Sequence, residues 1–184
     1  GGANTSLGTC SLKENTTGVH NVAVGKDALE ANTTGGCNTA VGKEALAANT
    51  TASDGVAVGY LSLNSNTTGI RNTAVGRCSM QANTSGCCNV AVGSRAMLVN
   101  VSGDFNTALG GSALESNTTA NNNTAVGAHS LKVNTTGTVN TAFGYGALCS
   151  NTTGVNSTAI GQFALRDQTT AGSGNVAVGD LAAL

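Results

Sequence analysis

Nine asparagines, Asn15, Asn32, Asn49, Asn66, Asn83, Asn100, Asn117, Asn134 and Asn151, recur every 17 residues, and each opens an Asn-x-Ser/Thr triplet. That triplet is the acceptor sequence for N-linked sugar, which places one glycosylation site on each of these nine repeats. The same column has a second possible chemistry. Stacked side-chain amides can bond one another and the nearby backbone at a tight turn, and Gln168 in the same column suits such a ladder. The two exclude each other at any one site, since an inward amide cannot carry a sugar. Further sequons at Asn4, Asn122 and Asn156 fall outside the column and lack its regularity.

The element that must position these residues is the repeat itself. A Gly that follows an apolar residue occurs at Gly8, Gly25, Gly42, Gly59, Gly76, Gly93, Gly110, Gly127, Gly144, Gly161 and Gly179, spaced by 17 at every step except the last, which is 18. The consensus is Asn-Thr-Ala-Val-Gly-x-x-Ala-Leu-x-x-Asn-Thr-Thr-Gly-x-x. Eleven copies fill the chain, so residues 1–184 read as a single repeat domain.

Two apolar columns accompany the Gly. Val24, Val41, Val58, Val75, Val92, Leu109, Val126, Phe143, Ile160 and Val178 precede it, and Leu12, Leu29, Leu46, Leu63, Met80, Met97, Leu114, Leu131, Leu148 and Leu165 lie four residues beyond. Both columns are assigned to the core, with small residues such as Ala40 and Ala45 beside them keeping the interior thin. All 17 charged residues fall at other repeat positions, as expected if the ions face water.

A unit this short and rich in Thr, Val, Asn and Gly favours a coil of β-solenoid over a helical hairpin, which usually needs about 30 residues or more. Thr39-Ala40-Val41 reads as one strand, Ala45-Leu46-Ala47 as a second, and Asn49-Thr50-Thr51 as the connecting turn. The fold class is therefore all-β, a parallel β-solenoid of about eleven 17-residue coils. At about 4.8 Å per coil the rod would be on the order of 50 Å long. Cys10, Cys37, Cys78, Cys87, Cys88 and Cys149 all read as outward positions. Cys10 and Cys78 lie roughly 19 Å apart and Cys37 and Cys88 roughly 14 Å, beyond disulfide reach, so bonds to neighbouring chains are the pairing open to them.

The composition excludes whole classes of function. The chain has 26 Gly, no Pro or Trp, five aromatic residues, 9% charged residues and a net charge of -1. Nucleic acid and anionic membranes lose their electrostatic attraction, and no apolar run reaches the roughly 18 residues of a membrane span. A Cys87-Cys88 pair lacks the Cys-x-x-Cys spacing of a metal site. His20 and His129 stand six repeats apart with no paired carboxylates, so no catalytic residue, metal or cofactor is assigned and the chain reads as non-enzymatic. The start at Gly1-Gly2-Ala3, without Met, reads as a mature chain whose leader has been removed.

The Asn-Thr-Ala-Val-Gly-x-x-Ala-Leu unit resembles the Asn-Ser-Val-Ala-Ile-Gly-type head repeats of trimeric autotransporter adhesins, and more closely the Asn-Thr-Ala-Val-Gly repeats of tail-fibre-like proteins. The resemblance covers the whole chain and implies a left-handed parallel β-roll, often three chains together, in extracellular fibres and attachment. Neither end carries an atypical polar cap: Leu7, Gly8 and Leu12 are in place at the start, and the last copy runs from Asn175 to Leu184. Another molecule could nearly continue the coil, which suggests stacking head to tail. The expected function is a structural subunit of an extracellular filament, its partners copies of itself and covalent glycans. The alternative is a trimeric adhesin or tail-fibre shaft, with Tyr60, Phe105, Tyr145 and Phe163 making outward contacts. Ice binding is a third possibility, but adjacent Thr50 and Thr51 face opposite sides and a Thr-x-Thr pair is missing.

Overall fold

The computed structural model describes residues 2–169 and 172–183; Gly1, Thr170, Ala171 and Leu184 lie outside them. Each repeat contributes one strand of three residues: β1 (Thr5–Leu7), β2 (Val22–Val24), β3 (Thr39–Val41), β4 (Val56–Val58), β5 (Thr73–Val75), β6 (Val90–Val92), β7 (Thr107–Leu109), β8 (Thr124–Val126), β9 (Thr141–Phe143), β10 (Thr158–Ile160) and β11 (Val176–Val178). They form one parallel sheet in chain order, a β-solenoid of about ten turns, with no helix among the described residues. No described helix is long and apolar enough to cross a membrane. Equivalent residues pair without slippage, Thr39 with Val56, Ala40 with Ala57 and Val41 with Val58. The 18-residue last step keeps that register, since Ile160 still pairs with Val178.

The strands place their core differently from the sequence reading. Side chains alternate along a strand, so of three residues only the middle one points inward when its flanks point out. That middle residue is Ala: Ala40, Ala57, Ala74 and Ala91 are wholly buried. The apolar column before the Gly therefore belongs to the outer sheet face. Val24 and Val41 are half-buried, and Leu109 and Phe143 are 46% and 56% exposed. The Leu/Met column is core as expected, with Leu29, Leu63, Met80, Met97 and Leu114 fully buried against the Ala column.

The second strand expected at Ala45-Leu46-Ala47 is absent, and a turn stands there. Leu46 takes φ 50°, left-handed backbone that no strand tolerates, and its equivalents Leu29, Leu63, Met80 and Leu114 do the same. Stacking sustains the strain: Leu46 N–H donates to Ser62 O at 3.0 Å in the next coil and Ala48 N–H to Asn64 O at 3.0 Å. Hydrogen bonds between coils thus continue around the turn without strand geometry. The repeated Gly has two causes. Gly42 has φ 136°, and a Cβ there would lie 2.5 Å from the carbonyl oxygen of Gly59 one coil on.

One charge departs from the outward rule. Glu115 is buried, and it accepts from Arg95 Nη2 at 2.5 Å, so a partner accompanies it into the surface.

Candidate functional site

The corner that holds the asparagines is built around one backbone carbonyl per coil. In the coil that starts at Asn38, the carbonyl of Ala52 accepts from Asn38 Nδ2 at 2.9 Å and from Asn49 Nδ2 at 3.1 Å. Both lone pairs of that oxygen are used by side chains of its own coil. The other amide hydrogen of Asn49 reaches Asn32 Oδ1 in the preceding coil at 2.8 Å. Asn83 repeats the contact to Asn66 at 2.7 Å, and Asn100 to Asn83 at 2.8 Å. The result is an inward amide ladder running from Asn15 to Asn151.

This geometry bears directly on the sugar reading. Asn32, Asn49, Asn66, Asn83, Asn100, Asn117, Asn134 and Asn151 are at most 1% exposed, and each donates both Nδ2 hydrogens internally. A glycan on Nδ2 would displace a donated hydrogen and need space that the sealed column lacks. In the folded coil these eight are therefore structural amides, while Asn15 at the first level is half-buried. Asn122 and Asn156, outside the column, are exposed.

A second asparagine ladder escaped the sequence reading. Asn21, Asn38, Asn72, Asn89, Asn106, Asn123 and Asn140 immediately precede their strands and are equally sealed. Here Oδ1 accepts a backbone N–H from the next coil, as Asn21 does from Asn38 at 2.9 Å and Asn38 from Gly55 at 2.9 Å. This column is less regular than the other, with Gly55 and Ser157 in place of Asn, and the adjacent strand masks its inward turn. Gln168 does not extend the first ladder. With one more methylene its Nε2 turns to Ser157 Oγ at 3.1 Å and to Gly172 O, and Asn151 Oδ1 accepts instead from Gly154 N–H at 3.1 Å.

The six cysteines are free thiols and do not form one class. Cys10 and Cys37 are exposed and open to another chain; Cys87, Cys88 and Cys149 are partly covered. Cys78, read as outward, is buried. Partial burial, reinforced by Asp104 and Cys88, pushes the Cys87 thiol up to about 11, so it stays protonated at neutral pH. Cys10, Asp27 and Glu30 bring ligand-type atoms within 4.8 Å of one another. Lys26 pairs with Asp27 at 3.3 Å, and Lys13 is shared between Glu14 at 3.3 Å and Glu30 at 3.5 Å, so both carboxylates already face a lysine. The outward aromatic residues are partly gathered: Tyr145 meets Phe163 edge-on at 5.2 Å and His129 at 5.7 Å, whereas Tyr60 and Phe105 stand on other coils. Compared with protein-family models, curated proteins and solved structures, the chain matches none.

Proposed function

We propose that this chain is a structural, non-enzymatic subunit of an extracellular filament in which coils stack head to tail. One observation carries the reading: consecutive coils meet everywhere through the same contact. Thr39 N–H donates forward to Gly55 O at 2.8 Å, Gly42 N–H donates back to Val24 O at 2.8 Å, and the first amide ladder repeats from Asn15 to Asn151. The upper edge of one coil therefore complements the lower edge of any other, within a chain or between chains. A contact of this kind does not close on itself and gives an open fibre. Sedimentation velocity and negative-stain microscopy over a concentration series test it. Rods that lengthen with concentration at constant width are expected; a monomer at every concentration would refute it.

A second reading, a trimeric adhesin or tail-fibre shaft, is favoured by the outer sheet face. Its two columns hold only Thr, Val, Leu, Ile and Phe, with no charge to oppose a neighbouring rod. A fixed mass of three chains, independent of concentration, would select the shaft. Ice binding would use the same face, where the Thr39 and Val41 columns run side by side, and would require thermal hysteresis in solution.

A further inference from the structure

The outer sheet face and its two rims distribute bulk and charge unevenly along the rod. On the face, the columns of Thr39 and Val41 carry no charge from β1 to β11. Beyond Leu7 on β1, the bulkier members Leu109, Phe143 and Ile160 stand on β7, β9 and β10, while β2 to β6 all present Val in that column. One rim, two residues before each strand, holds Arg71 before β5, Cys88 before β6 and Phe105 before β7. Among the described residues Arg71 is exposed without an ion pair, and Phe105 is 60% exposed and meets no other ring. The other rim, two residues after each strand, holds Lys26 after β2, Lys43 after β3, Arg77 after β5 and Tyr145 after β9.

Two copies can meet through this face about a two-fold axis along the rod or about one along a strand. The first keeps the rods parallel and brings opposite rims together. Arg71 then faces the partner's Arg77, His20 faces the partner's Lys26, and the column of Thr39 lies on the partner's column of Val41. Like charges oppose, and hydroxyls meet methyls. The second runs the rods antiparallel and joins like rims and like columns. With the axis at β6, Phe143 lies on the partner's Val41, Leu109 on the partner's Val75 and Ile160 on the partner's Val24, large against small. Thr39 and Thr73 meet the partner's Thr141 and the partner's Thr107, hydroxyl to hydroxyl. On the rims Arg71 meets the partner's Phe105 and Lys43 the partner's Tyr145, cation against ring, and no like charges oppose. Arg95, one residue beyond the second rim, is already compensated by Glu115 of its own chain. We infer that the outer face is a homodimer interface, across which two copies pair antiparallel on a two-fold axis through β6. Eleven strands of three residues make a face about 50 Å by 10 Å, so the pair covers on the order of 1,000 Å² in total, the size a specific interface needs. The stacking edges remain clear.

The axis brings Cys88 beside the partner's Cys88, whereas Cys37 faces the partner's Val139 and stands about 29 Å from the partner's Cys37. Two variants keep one of these thiols each and replace the other five cysteines with Ser, as Ser53 and Ser112 stand at the positions equivalent to Cys87 and Cys78. Both are treated with a short bismaleimide, whose reach matches the roughly 10 Å between facing sheets, and run on a denaturing gel. The expected result is a linked band of two 17.9 kDa chains from the Cys88 variant and none from the Cys37 variant. No link at Cys88, or equal linking of both, would overturn the pairing. Sedimentation of the dilute native chain provides a reading that needs no cysteine replacement. A two-chain mass is expected, Phe143→Arg should return it to one chain, and Arg71→Ala should weaken the pair about tenfold, because the symmetry removes two ring contacts at once. A native mass of one chain or of three would contradict the inference. Rods that grow without the Cys88 link would sink the pair alone, and linked pairs that never lengthen would sink the filament alone.

Discussion

Ala91 and Val92 are adjacent on one strand, yet Ala91 is wholly buried and Val92 lies on the outer sheet face. The contrast extends around the coil. The inner wall's strand column stays Ala from Ala23 to Ala177 and its Leu column changes only to Met from Leu12 to Leu165, while the outer face runs from Val to Leu, Ile and Phe. Close-packed interiors do not accept such variation and solvent does. The interior is also unusual in chemistry: one end of its cross-section is apolar and the other is a sealed array of amides whose donors and acceptors are nearly all used. The lesson is that a thin solenoid is specified by small residues and satisfied amides, with its larger β-branched residues left outside.

Paired substitutions sharpen the contrast, and Leu114→Asp has the largest expected effect. It places an unpaired carboxylate in a fully buried site, at a cost of about 4 kcal/mol, whereas Glu115→Ala next to it loses only the pair with Arg95, roughly 1 kcal/mol. Thermal melting should separate the two clearly, and equal effects would break the assignment of inside and outside.

Next comes Gly93→Ala. Its Cβ would meet Gly110 O at 2.5 Å on backbone with φ 138°, which calls for a loss of about 3 kcal/mol. Gly111→Ala meets nothing nearer than 3.9 Å, and by restricting the unfolded chain it should gain about 0.5 kcal/mol. Denaturant midpoints should therefore move in opposite directions.

Asn100→Ala removes an acceptor of Asn117 Nδ2 and a donor to Asn83 Oδ1 in a sealed column, for about 2 kcal/mol. Asn122→Ala, at an exposed amide on left-handed backbone of φ 59°, should cost about 1 kcal/mol, the smaller of the two, by the same denaturant titration. The smallest contrast involves thiols. Between pH 7 and 9, alkylation should consume exposed Cys37 while Cys87, raised to about 11, reacts slowly until the pH approaches that value. Peptide mapping of the labelled sites reads this out.

The fold was legible in the sequence because its period is strict. Gly42 and its equivalents set the repeat, Leu46 marks a true core column, and short β-branched units exclude helical hairpins. Hydrophobicity alone points Val41 inward, because it ranks Val above the neighbouring Ala40. The better signal was variability, since Ala40's column departs from Ala only at Ser6 while Val41's column reaches Phe143. The turn at Leu46 could not be read at all: left-handed backbone is unfavourable for an isolated Leu, and only hydrogen bonds from neighbouring coils hold it there. At the asparagine corner the sequence supplied one ladder as a possibility and concealed the second, because Asn38 sits against a strand and nothing local reveals that its amide turns inward to Ala52 O.

An electron cryomicroscopy map of assembled rods tests the central claim most directly. The expected map shows an unbroken rise of about 4.8 Å per coil across every junction between chains, Leu over Leu and Asn over Asn, with both amide columns inside. A gap or change of rise at the junctions, or asparagine side chains pointing to solvent, would contradict it.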